Sequence, residues 1–409
     1  MYKIYNILSF IFIPIIYLNI FLRIIQNKED KIRYQERFGK TKIKRPNKKI
    51  IWIHAASIGE FKSCKTLIET YYNDYCILVT TTTKTAADYA MKNFSKKIIH
   101  QYAPFDIKFW VNRFINFWQP QLVLWIESDL WPNTLLAIKR KNIASLFINA
   151  RISPVSFRRW KKKASIYNNL LNTFSYIFAQ SKQDLQRLNE LTNKKIEFIG
   201  NLKLSDIKIP KNLYSQDCNK KFNIMLASTH KSEEIKLFNF IKNLIEKYPA
   251  IQFYIAPRHI IRANKIKKLF DNEKISSSLE SQKIDKKVII INSFGNLSKY
   301  FRKSDIVILG GSFSKNGGHN PIEPALFNCA IISGQHMFNW QNIYEEMLEE
   351  KACYIPKDIL DLQNYVELLI SNQNMLLIAK KNALNFTNKS FFDKNKLKSI
   401  INKILVDNA

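Results

Sequence analysis

Short apolar runs separated by helix-length segments are what most constrain the fold of this chain. KIIWIHA (49–55), CILVTTTT (76–83), KKIIHQYAP (96–104), QLVLWIES (121–128), SLFINAR (145–151), YIFAQS (176–181) and IEFIGN (196–201) succeed one another. Helical stretches fall between them, near 58–71, through 94, at 106–117 and from about 132. Runs apolar on both faces, alternating with helices, predict a parallel sheet covered on both sides. The rhythm stops at DIKIPKNLYSQDCNKK (206–221), which reads as a linker. It restarts with FNIMLAST, IQFYIAP, KVIIINS, DIVILGG and AIISG, while 357–405 reads as helical. Two α/β halves and a linker are expected for 409 residues, a length beyond the usual single core. A cleft between two such domains is the favoured place for a ligand.

The first 27 residues stand apart. Ile4 to Leu22 is a run of 19 residues without a charge, close to the ~20 that span a bilayer. Residues 28–49 then carry ten Lys or Arg against three acids, which places this flank on the cytoplasmic side. No cleavage-site pattern of a signal peptide follows the run. A single membrane anchor is expected, with an interfacial helix and a buried packing helix as alternatives; Pro14, Asn6, Asn19 and Ser9 weaken the run. On either membrane reading the basic flank lies on anionic headgroups, at about 1 kcal/mol per cation.

Lys and Arg number 64 against 33 Asp and Glu, a net charge of +31. Such an excess suits a polyanionic neighbour: nucleic acid, anionic lipid or a phosphorylated substrate. Compositional drift toward Ile, Asn and Lys, with only 9 Gly, accounts for part of it. No nucleic-acid module with interleaved basic and aromatic residues is present in the pattern. The five cysteines are scattered without CxxC spacing, and the six histidines show neither HxxxH nor HExxH. Neither a zinc ribbon nor a disulfide framework is indicated, and metal-independent, cofactor-free chemistry is expected.

Several strand-to-helix junctions carry chemistry-bearing residues. In IHAASIGEF (53–61), Ser57 and Glu60 have capping-box spacing, yet a carboxylate at such a junction is also where catalytic groups sit. WIESDLWPN (125–133) puts Glu127 and Asp129 directly after a buried run. Close acids need basic partners or shift their pKa, so they are either functional groups or partners of a structural Arg such as Arg151. GNLKLSD (200–206) offers Lys203, expected at the opposite edge of the cleft, where a cation could stabilise developing negative charge. APRHIIRA (256–263) places Arg258 at a strand end, suited to phosphate. ASTHKSEE (227–234) is a similar junction with His230. GGSFSKNGGHNPIEPA (310–325) sets four glycines before a helix start, with Asn320 at the N-cap, Pro321 at N1 and Glu323 at N3. It matches neither the P-loop nor the dinucleotide fingerprint, and reads as an anion cradle or a tight turn.

Taken in order, YQERFG (34–39), IWIHAASIGE (51–60), ESDLWPN (127–133), NARIS (149–153), FAQS (178–181), GNLKLSD, ASTH, PRH, GGHNPIEPA and GQHMFNW (334–340) resemble one family. It is that of the 3-deoxy-D-manno-octulosonic acid (Kdo) transferases of lipopolysaccharide synthesis. The resemblance implies a GT-B glycosyltransferase fold: two Rossmann-like domains with an interdomain cleft, plus the N-terminal membrane-anchor helix. The expected boundaries are 1–27 for the anchor, 28–205 for the acceptor domain, 206–221 for the linker and 222–409 for the nucleotide-binding domain. The implied donor is CMP-Kdo and the implied acceptor lipid IVA, with inversion and without metal. The implied setting is the bacterial inner membrane, with the catalytic domains on its cytoplasmic side. By motif, Glu60 corresponds to the proton acceptor, and Glu127 or Asp129 together with Lys203 to transition-state stabilisers. CMP contacts fall on Pro257, Arg258, Phe294, Gly295, Asn296, Asn320, Pro321, Ile322 and Glu323. One departure is Gly295-Asn296-Leu297, where the family usually has Gly-Glu-Leu. Another membrane-associated GT-B enzyme with a different sugar nucleotide is the nearest rival; a non-catalytic nucleic-acid or membrane-surface binding protein is the other.

Overall fold

The computed structural model describes residues 2–127, 130–205, 221–293, 295 and 297–407. It divides into two compact units, Met1–Asp206 with Ser390–Ala409, and Ile207–Lys389. The expected linker, 206–221, lies outside the described residues except for Lys221. Each unit has a wholly parallel sheet, the Rossmann-like pair that the alternating rhythm predicted.

The first sheet consists of β1 (Ile50–His54), β2 (Cys76–Thr81), β3 (Ile99–Tyr102), β4 (Leu122–Ile126), β5 (Ala144–Ala150), β6 (Tyr176–Ala179) and β7 (Glu197–Phe198). Its order is β3-β2-β1-β4-β5-β6-β7. Successive side chains of β1 alternate between two cores: Ile51 and Ile53 join one, Ile50 and Trp52 the other. Both faces are therefore buried, which is why these strands read as continuous apolar runs. The helix expected at 58–71 is broken at Cys64 into Ile58–Ser63 and Lys65–Tyr71.

The second sheet consists of β8 (Phe222–Thr229), β9 (Ile251–Pro257), β10 (Ser277–Leu279), β11 (Val288–Ile290), β12 (Ile306–Leu309) and β13 (Ala330–Ser333). Its order is β10-β11-β9-β8-β12-β13. The short strand β10 was not foreseen, because three residues carry too little periodicity to read.

Residues 390–409 correct the expected domain boundary. They belong with the first unit rather than with the nucleotide-binding half. The helix Lys394–Asp407 buries Leu397, Ile401, Ile404 and Leu405 in the core that also holds Ile51 and Ile68. Asp393 N donates to the Ile199 carbonyl at 2.7 Å, and Tyr71 Oη donates to Asn402 Oδ1 at 3.1 Å. Gly200 admits this return: its φ is +86°, and a methyl group there would lie 1.9 Å from the Phe391 carbonyl oxygen.

The N-terminus also departs from expectation. No single described helix is long and apolar enough to cross a membrane; Tyr5–Ile11 and Ile13–Ile25 meet at a 52° bend. Pro14 has no N–H to donate back into a preceding turn, so one helix ends and another begins with Pro in its first turn. Ile13, Ile16, Ile20 and Ile24 dock this second helix on Phe38, Ile107 and Trp110. Ile7, Phe10, Ile11, Ile15, Leu18 and Phe21 remain exposed on the other side. Tyr5 Oη donates to Asp106 Oδ2 at 3.0 Å. That carboxylate also accepts from the backbone N–H groups of Asn133 (2.9 Å) and Thr134 (2.8 Å), capping the helix Pro132–Arg140.

Two buried histidines sit in the first sheet. The His54 Nδ1 lies 2.9 Å from Thr80 Oγ1, and its ring packs on Trp125 and Trp131 with centroids 4.2 and 4.7 Å away. Arg33 donates to His100 Nδ1 at 2.8 Å. Burial lowers both imidazoles from 6.5 to about 3, with Arg33 and Arg37 adding to the effect at His100. The unfolded chain binds these protons below about pH 6.5 and the folded one does not. Stability therefore falls as pH drops from 6.5 toward 4, by about 1.4 kcal/mol per pH unit for each imidazole. Urea unfolding at pH 7, 6 and 5 measures this slope. Ile401→Ala should cost about 2–5 kcal/mol, read by tryptophan fluorescence, since every tryptophan but Trp340 lies in the first unit.

Candidate active site

In an open parallel sheet, ligands bind beyond the carboxyl ends of the strands, where the strand order reverses direction. In the first sheet that switch falls between β1 and β4. Glu60 follows β1 and Glu127 follows β4, so the two carboxylates flank it.

Glu60 is the third residue of the helix Ile58–Ser63, which Ser57 caps. Its backbone N–H donates to Ser57 Oγ at 3.2 Å, while its Oε2 accepts from Ala56 N at 2.6 Å and Ser57 N at 3.4 Å. The capping box is real, and it holds one carboxylate oxygen of a residue that is only 8% exposed. Cap and catalyst are thus compatible: the cap fixes the rotamer that a base requires.

Glu127 has φ +62°, a left-handed conformation costly for a non-glycine residue. This turn aims its side chain at Lys203, whose Nζ lies 2.8 Å from Glu127 Oε1. Lys203 is therefore not at the opposite edge of a cleft, as the sequence suggested, but an ion-pair partner within the same unit. Asn149, also left-handed at φ +59°, receives the backbone N–H of Leu202 on its Oδ1 at 3.0 Å. It positions the turn Leu202–Leu204 that carries Lys203. Sequence reading quoted Asn149 within NARIS without giving it a role; an Asn able to adopt φ > 0 at a strand end was the available signal. Asp129 lies outside the described residues.

The second unit gathers its candidate residues in the same way. Pro257 closes β9, and the exposed Arg258 follows it with no acidic partner among the described residues. Its backbone N–H donates to the Thr229 carbonyl at 2.9 Å. Gly295 lies beyond β11 with φ +84°, whereas Phe294 and Asn296 lie outside the described residues. Asn320 Oδ1 accepts from Ile322 N at 3.0 Å. The helix there is the single turn Ile322–Ala325, with Pro321 rather than Asn320 at the N-cap position and Glu323 exposed. The helix start was thus misplaced by one residue, because the side-chain bond reaches across Pro321.

A residue without an assigned role organises this edge. Glu233, fully buried, accepts from His230 N (3.0 Å) and Gly311 N (2.7 Å) on Oε2 and from Phe313 N (2.9 Å) on Oε1. One carboxylate so ties the glycine loop to the end of β8. At Gly310 a methyl group would lie 2.5 Å from the Ser228 carbonyl oxygen, so only glycine allows this approach. His230 and His319 face each other with Nε2 atoms 3.3 Å apart. Burial, then His230 and Arg258, lower His319 to about 4, so it stands neutral at physiological pH. No group of three or more His, Cys, Asp or Glu among the described residues is placed to hold a metal ion.

The profile of a family described as "3-Deoxy-D-manno-octulosonic-acid transferase (kdotransferase)" matches residues 32–206. A 3-deoxy-D-manno-octulosonic acid transferase of Rickettsia bellii is 34% identical over 408 residues, covering 95% of this chain and 96% of the relative. One from Haemophilus influenzae is 32% identical over 342 residues, covering 79% of each. Among solved structures, a UDP-GlcNAc 2-epimerase from Neisseria meningitidis aligns with 88% of this chain and 100% of its own, at 14% identity and a TM-score of 0.52. That likeness speaks to fold alone, and it is the GT-B architecture. Near-complete coverage by named transferases, together with the carboxylates at the first sheet's switch point, makes this chain a glycosyltransferase of the 3-deoxy-D-manno-octulosonic-acid transferase family.

Proposed function

We propose that this enzyme transfers Kdo from CMP-Kdo to lipid IVA with inversion at the anomeric carbon, Glu60 acting as general base. The observation that carries the reading is the pairing of a fixed carboxylate, Glu60, with the Glu127–Lys203 ion pair on the adjacent strand end. A sugar hydroxyl attacking an anomeric carbon must lose its proton, which asks for a base within hydrogen-bond reach. Glu60 accepts that proton as the C–O bond forms. The bond from the anomeric carbon to the CMP phosphate breaks, and the phosphate leaves with the electron pair. Arg258, exposed and without an acidic partner among the described residues, is the group suited to that charge. Lys203 supplies positive charge near the reacting centre, with Glu127 holding it in place.

The N-terminal helix pair favours attachment to the cytoplasmic face of the inner membrane, lying in the interface rather than spanning it. Its docked face belongs to the protein core, and its exposed face is apolar, with a cationic flank behind. A phosphorylated, acylated acceptor would be met there.

Purified enzyme incubated with CMP-Kdo and lipid IVA should yield products heavier by whole Kdo units on mass spectrometry. Products only with another sugar nucleotide would overturn the donor assignment in favour of a different GT-B transferase. Glu60→Gln should keep the capping box and change stability by less than ~1 kcal/mol. It should lower the transfer rate by about 10²–10⁴-fold. Near-normal turnover in that variant would return Glu60 to the role of a helix cap.

A further inference from the structure

YQERFG (34–39) supplies no residue to the site described above, yet it sets a charge inside the first unit. Tyr34–Phe38 is a short 3₁₀ helix that ends at Gly39, whose φ is +67°. Phe38 packs on Trp110 with ring centroids 4.8 Å apart, and Arg37 beside it is buried. The Arg37 guanidinium lies 4.4 Å over the Tyr102 ring, and its Nη2 donates to Glu29 Oε1 at 3.0 Å. Glu29, buried as well, takes Arg23 Nε on its other oxygen at 3.2 Å.

An apolar pair of similar size commonly holds a core as well as a buried ion pair does. Stability alone therefore does not call for Arg37. What an apolar side chain lacks is a donor, and Arg37 has a second use for its own. The same Nη2 donates to the Thr82 carbonyl at 2.7 Å, just past the end of β2.

Thr82 passes the constraint to β1. Both its backbone N–H (2.9 Å) and its Oγ1 (2.8 Å) donate to the carbonyl of Ala56. A trans peptide unit is planar, with its C=O and N–H pointing in opposite directions. Holding the Ala56 carbonyl on Thr82 therefore turns the Ser57 N–H the other way, where Glu60 Oε2 accepts it at 3.4 Å. One peptide earlier, the Ala56 N–H donates to that same oxygen at 2.6 Å. A line of hydrogen bonds thus runs from Arg37 through Thr82 to the two peptide units that grip Glu60. Bonds in such a line polarise one another, so each tightens the next.

We propose that Arg37 is a positioning residue for the transfer reaction, fixing Glu60 through Thr82 and Ala56. The inference rests on Glu60 as the base and adds the group that sets it in place.

Initial rates are measured with CMP-Kdo and lipid IVA in neutral detergent, for Arg37→Met made in the natural chain and in Glu60→Gln. In the natural chain it should lower kcat about 10–100-fold, as displacement of a reacting group does, with KM for both substrates unchanged. In Glu60→Gln, which has no base left to place, it should change the residual rate by less than about twofold, because two losses through one group do not add. Lys380→Met breaks the buried ion pair with Asp305 in the second unit and should lower stability with kcat unchanged. Should Arg37→Met not fold, Thr82→Val takes its place: it deletes only the Oγ1 link and should lower kcat about three- to tenfold, again only where Glu60 is present. Equal losses in both backgrounds would overturn the proposal, as would an unchanged kcat, a rise in KM in place of a fall in kcat, or a matching loss of kcat in Lys380→Met. Near-normal turnover of Glu60→Gln by itself would instead remove the base, and the role of Arg37 with it.

Discussion

A parallel sheet buried on both faces holds a polar side chain along its strands only where that group is neutral and hydrogen-bonded, as His54 and His100 are. Charge can enter only where the hydrogen-bonded ladder stops. In the first unit that restriction gathers Glu60, Glu127 and Arg151 onto one edge, each just past a strand that carries no charged side chain. In the second it does the same for Arg258, His230 and the glycine loop. Chemistry is concentrated at these edges because the rest of each sheet cannot hold it.

Carboxylates buried at such edges need donors, since an unpaired charge out of water is costly. Here the backbone supplies them. Glu60 takes the N–H groups of Ala56 and Ser57, Glu233 those of His230, Gly311 and Phe313, and Asp106 those of Asn133 and Thr134. Glu127 takes a lysine instead. This division is informative. Carboxylates bound to backbone hold loops in place, whereas the one bound to Lys203 presents an ion pair that substrate charge could perturb. Glu60 is held by backbone donors at a strand end where catalytic groups also sit, which explains why spacing alone cannot separate its roles.

The strands were legible because burial on both faces leaves uninterrupted apolar runs, and the Glu60 cap because its partner is three residues away. What escaped were relations between residues distant in sequence. Nothing local brings Lys203 to Glu127, 76 positions apart, or shows Glu233 gathering a loop that begins at Gly310. Left-handed φ at Glu127 is similarly invisible, because a glutamate gives no hint of it, whereas Asn149 is at least of a residue type that tolerates it. The apolar stretch 4–22 was legible in length but not in shape, as Pro14 divides it. The C-terminal helix was found, but its allegiance was not: an amphipathic stripe states that a core exists, not which one.

That allegiance bears on how the polypeptide assembles as it is made. The second unit is inserted within the first, so residues 390–407 leave the ribosome only after all of 207–389. The second sheet can therefore close while the first still lacks the helix that seals Ile51 and Ile68. The usual vectorial order, in which the earlier half folds first, is reversed. Meanwhile the apolar helix pair emerges before either sheet, attached to a half that is still open. Its docking partners Phe38, Ile107 and Trp110 follow within that half, so the pair can settle well before residues 390–407 arrive to complete the other core.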